Sequence, residues 1–137
     1  MKDQWCVIPI LLLFLAGCSS RCIDPGVTGR YEITDGGARY MLHLMPGGQG
    51  SLDAEGRSLG PLTWELLRGG PQGQMLELTA AGEVYSSLRR LSSPNRPVDK
   101  TLGTHGMLES LPQCGGSGVL QKLVIEYDND RGFARVN

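Results

Sequence analysis

The chain has 137 residues, with 13 Lys or Arg against 14 Asp or Glu, and a formal charge of −1. This length sets one domain as the expectation and leaves no room for a multidomain enzyme or a large α/β barrel. The balanced charge argues against a nucleic-acid partner and an acidic disordered tail, and 20 Gly with no Gly-X-Y period argue against collagen.

Lys2 and the terminal amine make a weakly positive start. Val7 to Leu15 is an apolar run broken only by Pro9, and the small residues Ala16 and Gly17 follow. This is the order of regions in a secretory leader. A membrane-spanning helix needs about 20 apolar residues, and Ser19, Ser20 and Arg21 end this stretch well short of that. Leu15-Ala16-Gly17-Cys18 resembles the lipobox of bacterial lipoproteins. The resemblance implies cleavage after residue 17, acylation of Cys18, and a lipidated mature chain of 120 of the 137 residues. Ser19 after the cysteine, in place of Asp, implies sorting to the outer membrane. Two or three acyl chains hold a protein firmly at a bilayer, because each buried CH₂ adds about 0.8 kcal/mol.

Cys6 leaves with the leader, and Cys18 carries the lipid. The remaining pair, Cys22 and Cys114, is expected to form a disulfide in an oxidising compartment. The C-x₃-C spacing of Cys18 and Cys22 raises a metal site, but lipid consumes Cys18 and no His lies nearby. Residues 18–27 then read as a lipidated tether and 28–137 as a β domain. With Cys22 bridged, only three residues are free between Cys18 and the fold, so the domain is expected to sit against the membrane.

Beyond the tether the apolar residues alternate. Tyr31 and Ile33 share a face, as do Tyr40, Leu42 and Leu44, then Leu62, Trp64 and Leu66, then Leu76 and Leu78. Val84 to Leu91 is mixed but strand-like. Leu123, Ile125 and Tyr127 alternate again, and Phe133 and Val136 close the chain. Period two argues half-buried strands. Turn signals separate them at Asp35-Gly36-Gly37, Pro46-Gly47-Gly48, Arg68-Gly69-Gly70-Pro71, Ala81-Gly82 and Asp128 to Gly132. Ser92 to Gly106, with Pro94 and Pro97, reads as a long loop. Met107 to Leu111 reads as one helical turn ended by Pro112, and no long amphipathic helix is expected. The sum is an all-β domain, a small antiparallel meander or barrel of about seven or eight strands.

Catalytic constellations are absent from the pattern. His43 sits in a strand between methionines, and His105 in the long loop; neither accompanies a nucleophile elbow. His105 and Glu109 have helical i, i+4 spacing for zinc, without a third ligand. Asp128, Asp130 and Gly132 open like a calcium loop, but no acidic residue follows to close it. Gly47-Gly48-Gln49-Gly50 lacks the following helix of a phosphate loop. Trp64, Tyr31, Tyr40, Tyr85, Tyr127 and Phe133 read as core or lining, and Arg89-Arg90 as a basic spot within reach of anionic headgroups. No enzyme activity, cofactor or metal is expected.

The run Gly29-Arg30-Tyr31-Glu32-Ile33, with Leu42-His43-Leu44 and Gly50-Ser51-Leu52, is similar to lipocalin-like meanders. Trp64-Glu65-Leu66, Met75 to Leu78 and Gly82-Glu83-Val84 resemble later strands of small periplasmic barrel inhibitors of proteases. The leading expectation is an outer-membrane lipoprotein, facing the periplasm, whose β domain is a non-enzymatic interaction module for an envelope protein. The alternatives are an inhibitor or immunity protein against an exported hydrolase, and a carrier of an apolar ligand.

Overall fold

The structure, a computed structural model, describes residues 21–68, 73–92, 105–126 and 131–136. Eight strands form a closed barrel: β1 (Gly29–Asp35), β2 (Ala38–Met45), β3 (Gln49–Ala54), β4 (Arg57–Arg68), β5 (Gln74–Ala81), β6 (His105–Cys114), β7 (Leu120–Glu126) and β8 (Arg131–Val136). Each strand pairs antiparallel with the next, and β8 returns to β1. Closure removes the edges that would otherwise invite pairing with another chain. The all-β expectation, an antiparallel meander of this size, is therefore met.

The alternation seen in the sequence places one face of each strand inside. Tyr31 and Ile33, Leu42 and Leu44, Leu52, Leu62, Leu76 and Leu78, Leu123 and Phe133 are all buried and form one cluster. Burying each such side chain contributes about 1.5–3 kcal/mol. A barrel of eight strands is just wide enough for side chains to fill it, and these do. Tyr40, Trp64 and Tyr85 are buried with them, as the sequence predicts; Tyr127 lies outside the described residues.

Short elements cover both poles. At one pole the turn α1 (Asp24–Val27) packs under the starts of β1 and β7, with Gly26 and Val27 buried. The approach is so close that a Cβ on Gly26 would stand 2.2 Å from the Gly118 carbonyl oxygen. Cys22 and Cys114 are joined by a disulfide here, and the Gln74 amide holds both backbone groups of Cys22, at 2.8 and 3.1 Å. At the other pole the helix α2 (Gly82–Ser92) lies between β5 and β6 and contacts β4, β5, β6 and β7.

Several expectations are corrected. The segment expected to be strand-like, Val84 to Leu91, is α2. Its buried residues Val84, Tyr85, Leu88 and Leu91 recur at helical spacing, so the face they form seals the barrel mouth. This helix is also the amphipathic one that was not expected, and Ala81-Gly82 leads into it, not into a hairpin. Met107 to Leu111 is not a helical turn but the middle of β6. The reason is tertiary: residues 105–110 supply the partner that β5 needs, and Leu108 and Ser110 point inward from it. His105 and Gly106, expected in the loop, open this strand; residues 93–104 of that loop lie outside the described residues. The strand β3, absent from the simple alternation pattern, pairs with both β2 and β4.

Candidate functional site

Trp64 points inward near the α1 pole, and its indole N–H donates to the carbonyl oxygens of both Met45 and Gln49, each at 2.9 Å. Those two residues bracket the tight turn Pro46–Gly48. Gly47 and Gly48 have φ of 81° and 79°, which only glycine adopts without strain. The turn therefore has a fixed shape and no side chains over its two glycines.

Two adjoining concavities flank this turn. One, of about 480 Å³, lies between Asp24, Pro25 and Thr28 of the α1 pole, the turn itself, and Trp64, Glu65 and Leu66 of β4. The other, of about 330 Å³, runs from the same turn over Thr63, Glu65, Glu77 and Thr79 on the barrel wall. They share Gly47, Gly48, Trp64 and Glu65, so together they form one bent groove. Three carboxylates line it and no cationic side chain does.

The carboxylates belong to a longer row. Glu65 of β4 stands directly opposite Glu77 of β5, and Glu77 stands opposite Glu109 of β6. None of the three has an ion-pair partner among the described residues. Like charges directly opposed on neighbouring strands are destabilising. Replacing Glu77 with Lys reverses both contacts at once. The expected result is a gain of about 0.5–1 kcal/mol, seen as a rise of a few degrees in the thermal midpoint. An unchanged or lower midpoint would show that the row carries no repulsion.

The remaining residues singled out in the sequence are dispersed. Cys18 and the leader lie outside the described residues, while Cys22 and Cys114 are bonded as expected. His43 is half-buried on the outer wall of β2, opposite Arg30 and Ser51. His105 is exposed at the start of β6, facing Ala81. On an extended strand, four residues separate His105 from Glu109 by roughly 13 Å, too far to share a zinc ion. Among the described residues no group of three His, Cys, Asp or Glu side chains is placed to hold a metal. Asp128 and Asp130 lie outside the described residues, and Gly132 is paired with Val124 in β8.

Arg89 and Arg90 close α2 at the pole away from the N-terminal turn. Arg89 lies over the Tyr85 ring, 5.8 Å from its centroid, and Arg90 over Tyr40 at 5.4 Å. Arg90 also donates to the Tyr40 hydroxyl and reaches Asp35, which Arg131 grips at 2.7 Å. Arg90 therefore clamps α2 to the barrel, while Arg89 stays on Tyr85 of its own helix.

The groove itself was not foreseen. Its signal was present only as the coincidence of Trp64-Glu65 with a Pro-Gly-Gly turn, and nothing in the chain order says that they meet. No known protein family, curated protein or solved structure matches the chain.

Proposed function

We propose that this chain is a lipid-anchored outer-membrane lipoprotein whose barrel works as a non-enzymatic docking module for an envelope protein. The groove at the α1 pole carries the reading. Leu42, Leu52, Leu78 and Phe133 fill the barrel interior, α1 and α2 cover its poles, and the groove offers a shaped surface beside Trp64. The same filled interior weighs against the carrier alternative. The lipobox-like segment and the Cys22–Cys114 bond both suit an exported protein. Cys22 sits at the α1 pole beside the groove, so a lipid on Cys18, four residues earlier in the chain, would tether the protein at that end.

Cells expressing the protein are fed an alkyne-bearing palmitate, and membranes are separated by density. The wild-type chain is expected to take the label and to fractionate with the outer membrane; Cys18→Ser takes none. A photo-crosslinking residue at Thr63, on the groove rim, is expected to trap a discrete protein, while one at Ser51 on the wall of β3 traps none. Absence of label in the wild type overturns the anchor. Equal trapping from both positions, or from neither, overturns the docking reading.

A further inference from the structure

The groove has a pronounced chemical bias. Asp24 stands at one end, Glu65 in the middle and Glu77 at the other end, with no Lys or Arg among the lining residues. Three acids elsewhere in the molecule are paired. Glu32 is paired with Arg39 at 3.0 Å, Asp35 with Arg131 at 2.7 Å, and Glu83 with Arg57 at 3.1 Å. The three groove carboxylates, Asp24, Glu65 and Glu77, have no such partner among the described residues. Glu65 and Glu77 also face each other across a strand pair, where repulsion is unrelieved.

A concave floor accompanies these charges. Pro25, Pro46 and Leu66, with the edge of Trp64, supply apolar surface, and Gly47 and Gly48 leave their backbone bare of side chains. Its volume, about 480 Å³, falls in the range of built binding sites, roughly 300–1,000 Å³. A lysine or arginine side chain matches both parts. Its aliphatic stem lies along apolar surface while its charged head reaches the carboxylates at the rim. An extended chain placed along the bend would bring successive cationic heads to Asp24, Glu65 and Glu77.

We infer that the groove beside Trp64 receives an extended, Lys- or Arg-bearing segment of a protein partner. The inference rests on the docking reading of this groove and names the chemistry of what docks; it does not depend on the lipid anchor. Charge complementarity selects the occupant, because an acidic or neutral segment would leave the Glu65–Glu77 repulsion in place.

Trp5 and Trp64 are the two tryptophans of the chain, so in the Trp5→Phe protein the Trp64 indole gives a single N–H resonance. Pentalysine is titrated into this full chain at low salt, with pentaglutamate as the opposite probe. Pentalysine is expected to shift the indole resonance saturably, together with the Gly47 and Gly48 amides, and pentaglutamate to leave them in place. The Glu65→Gln/Glu77→Gln protein is expected to bind pentalysine about tenfold more weakly, since two exposed ion pairs are lost. Asp53→Asn, on the wall of β3, is expected to bind as the parent does. Raising the salt is expected to weaken binding of the parent more than of the double variant. No saturable shift, or equal affinity of parent and double variant, overturns the inference. Crosslinks from Thr63 would in that case still support docking by a partner of other chemistry, so the two failures are distinguishable.

Discussion

Replacing Arg135 with Met is expected to destabilise the barrel by roughly 3–5 kcal/mol, measured by denaturant unfolding. Arg135 sits on the inner face of β8, opposite Tyr31 of β1, at the seam where the barrel closes. Its guanidinium lies 5.0 Å from the centre of the Tyr31 ring. Its Nε donates to the Leu120 carbonyl at 2.5 Å, and one Nη donates to Gly26, Thr28 and the Tyr31 hydroxyl at 2.9, 3.0 and 2.7 Å. Tyr31 in turn donates to the Val27 carbonyl at 2.5 Å. One side chain therefore ties α1, β1 and β7 together. Methionine keeps most of the length but leaves these acceptors without a donor, and the desolvation penalty of each remains. Gly29 is part of the same knot, since a Cβ there would stand 2.4 Å from the Arg135 guanidinium. A loss below 1 kcal/mol would show that water or neighbouring donors replace the guanidinium without difficulty.

The same knot has a pH signature. Burial pushes the Tyr31 hydroxyl up to about 12 from an ordinary 10, with the Arg135 charge pulling the other way. The folded state thus favours neutral tyrosine. Its contribution to stability is full below pH 10 and is lost as pH rises from 10 toward 12, because there the unfolded chain has released the proton that the fold retains. Stability measured across that window is expected to fall less steeply in Tyr31→Phe. In Arg135→Met the hydroxyl is expected to ionise at still higher pH, read from absorbance near 295 nm.

Removing the disulfide with Cys22→Ser and Cys114→Ser is expected to cost about 4–5 kcal/mol, or a fall in thermal midpoint of on the order of 15–20 °C. The bonded residues are separated by 92 positions, so the bond restrains nearly the whole described domain in its unfolded state. The native consequence is local. Without the bond, the α1 pole is held by the Gln74 bridge to Cys22, the hydrogen bond from the Ile23 N–H to the Gly118 carbonyl, and the Arg135 knot. Hydrogen exchange is therefore expected to accelerate first at the backbone amides of positions 22 and 26, with β2 and β3 protected. Uniform acceleration across the barrel would mean that the bond acts on the unfolded chain alone.

Much of the architecture was legible because a half-buried strand writes its own period. Tyr40, Leu42 and Leu44 reveal β2, and Leu62, Trp64 and Leu66 reveal β4, since alternate residues must face the core. The cysteine pair was legible for a related reason: once Cys6 and Cys18 are assigned elsewhere, two cysteines remain to pair. Where the period is weak, the reading faltered. β3 places Gly50, Leu52 and Ala54 inward, and glycine and alanine leave little hydrophobic signal. In β6 the inward positions are Gly106, Leu108, Ser110 and Pro112, a set that resembles a loop until its neighbours are known. The α2 spacing of Val84, Leu88 and Leu91 was legible in principle; the expectation of continued strands obscured it.

What the sequence by itself determined is the fold class, the strand-and-turn rhythm and the bonded cysteines, all properties of local spacing or of counting. Tertiary structure alone decided which elements cover the poles, which strand β5 pairs with across α2, and where the open carboxylates meet. Glu65, Glu77 and Glu109 lie as far as 44 positions apart in the chain and become one row only when β4, β5 and β6 pair in register. The physical reason is that burial periodicity is read along one strand, whereas a surface groove is made by residues of several strands brought together by barrel closure.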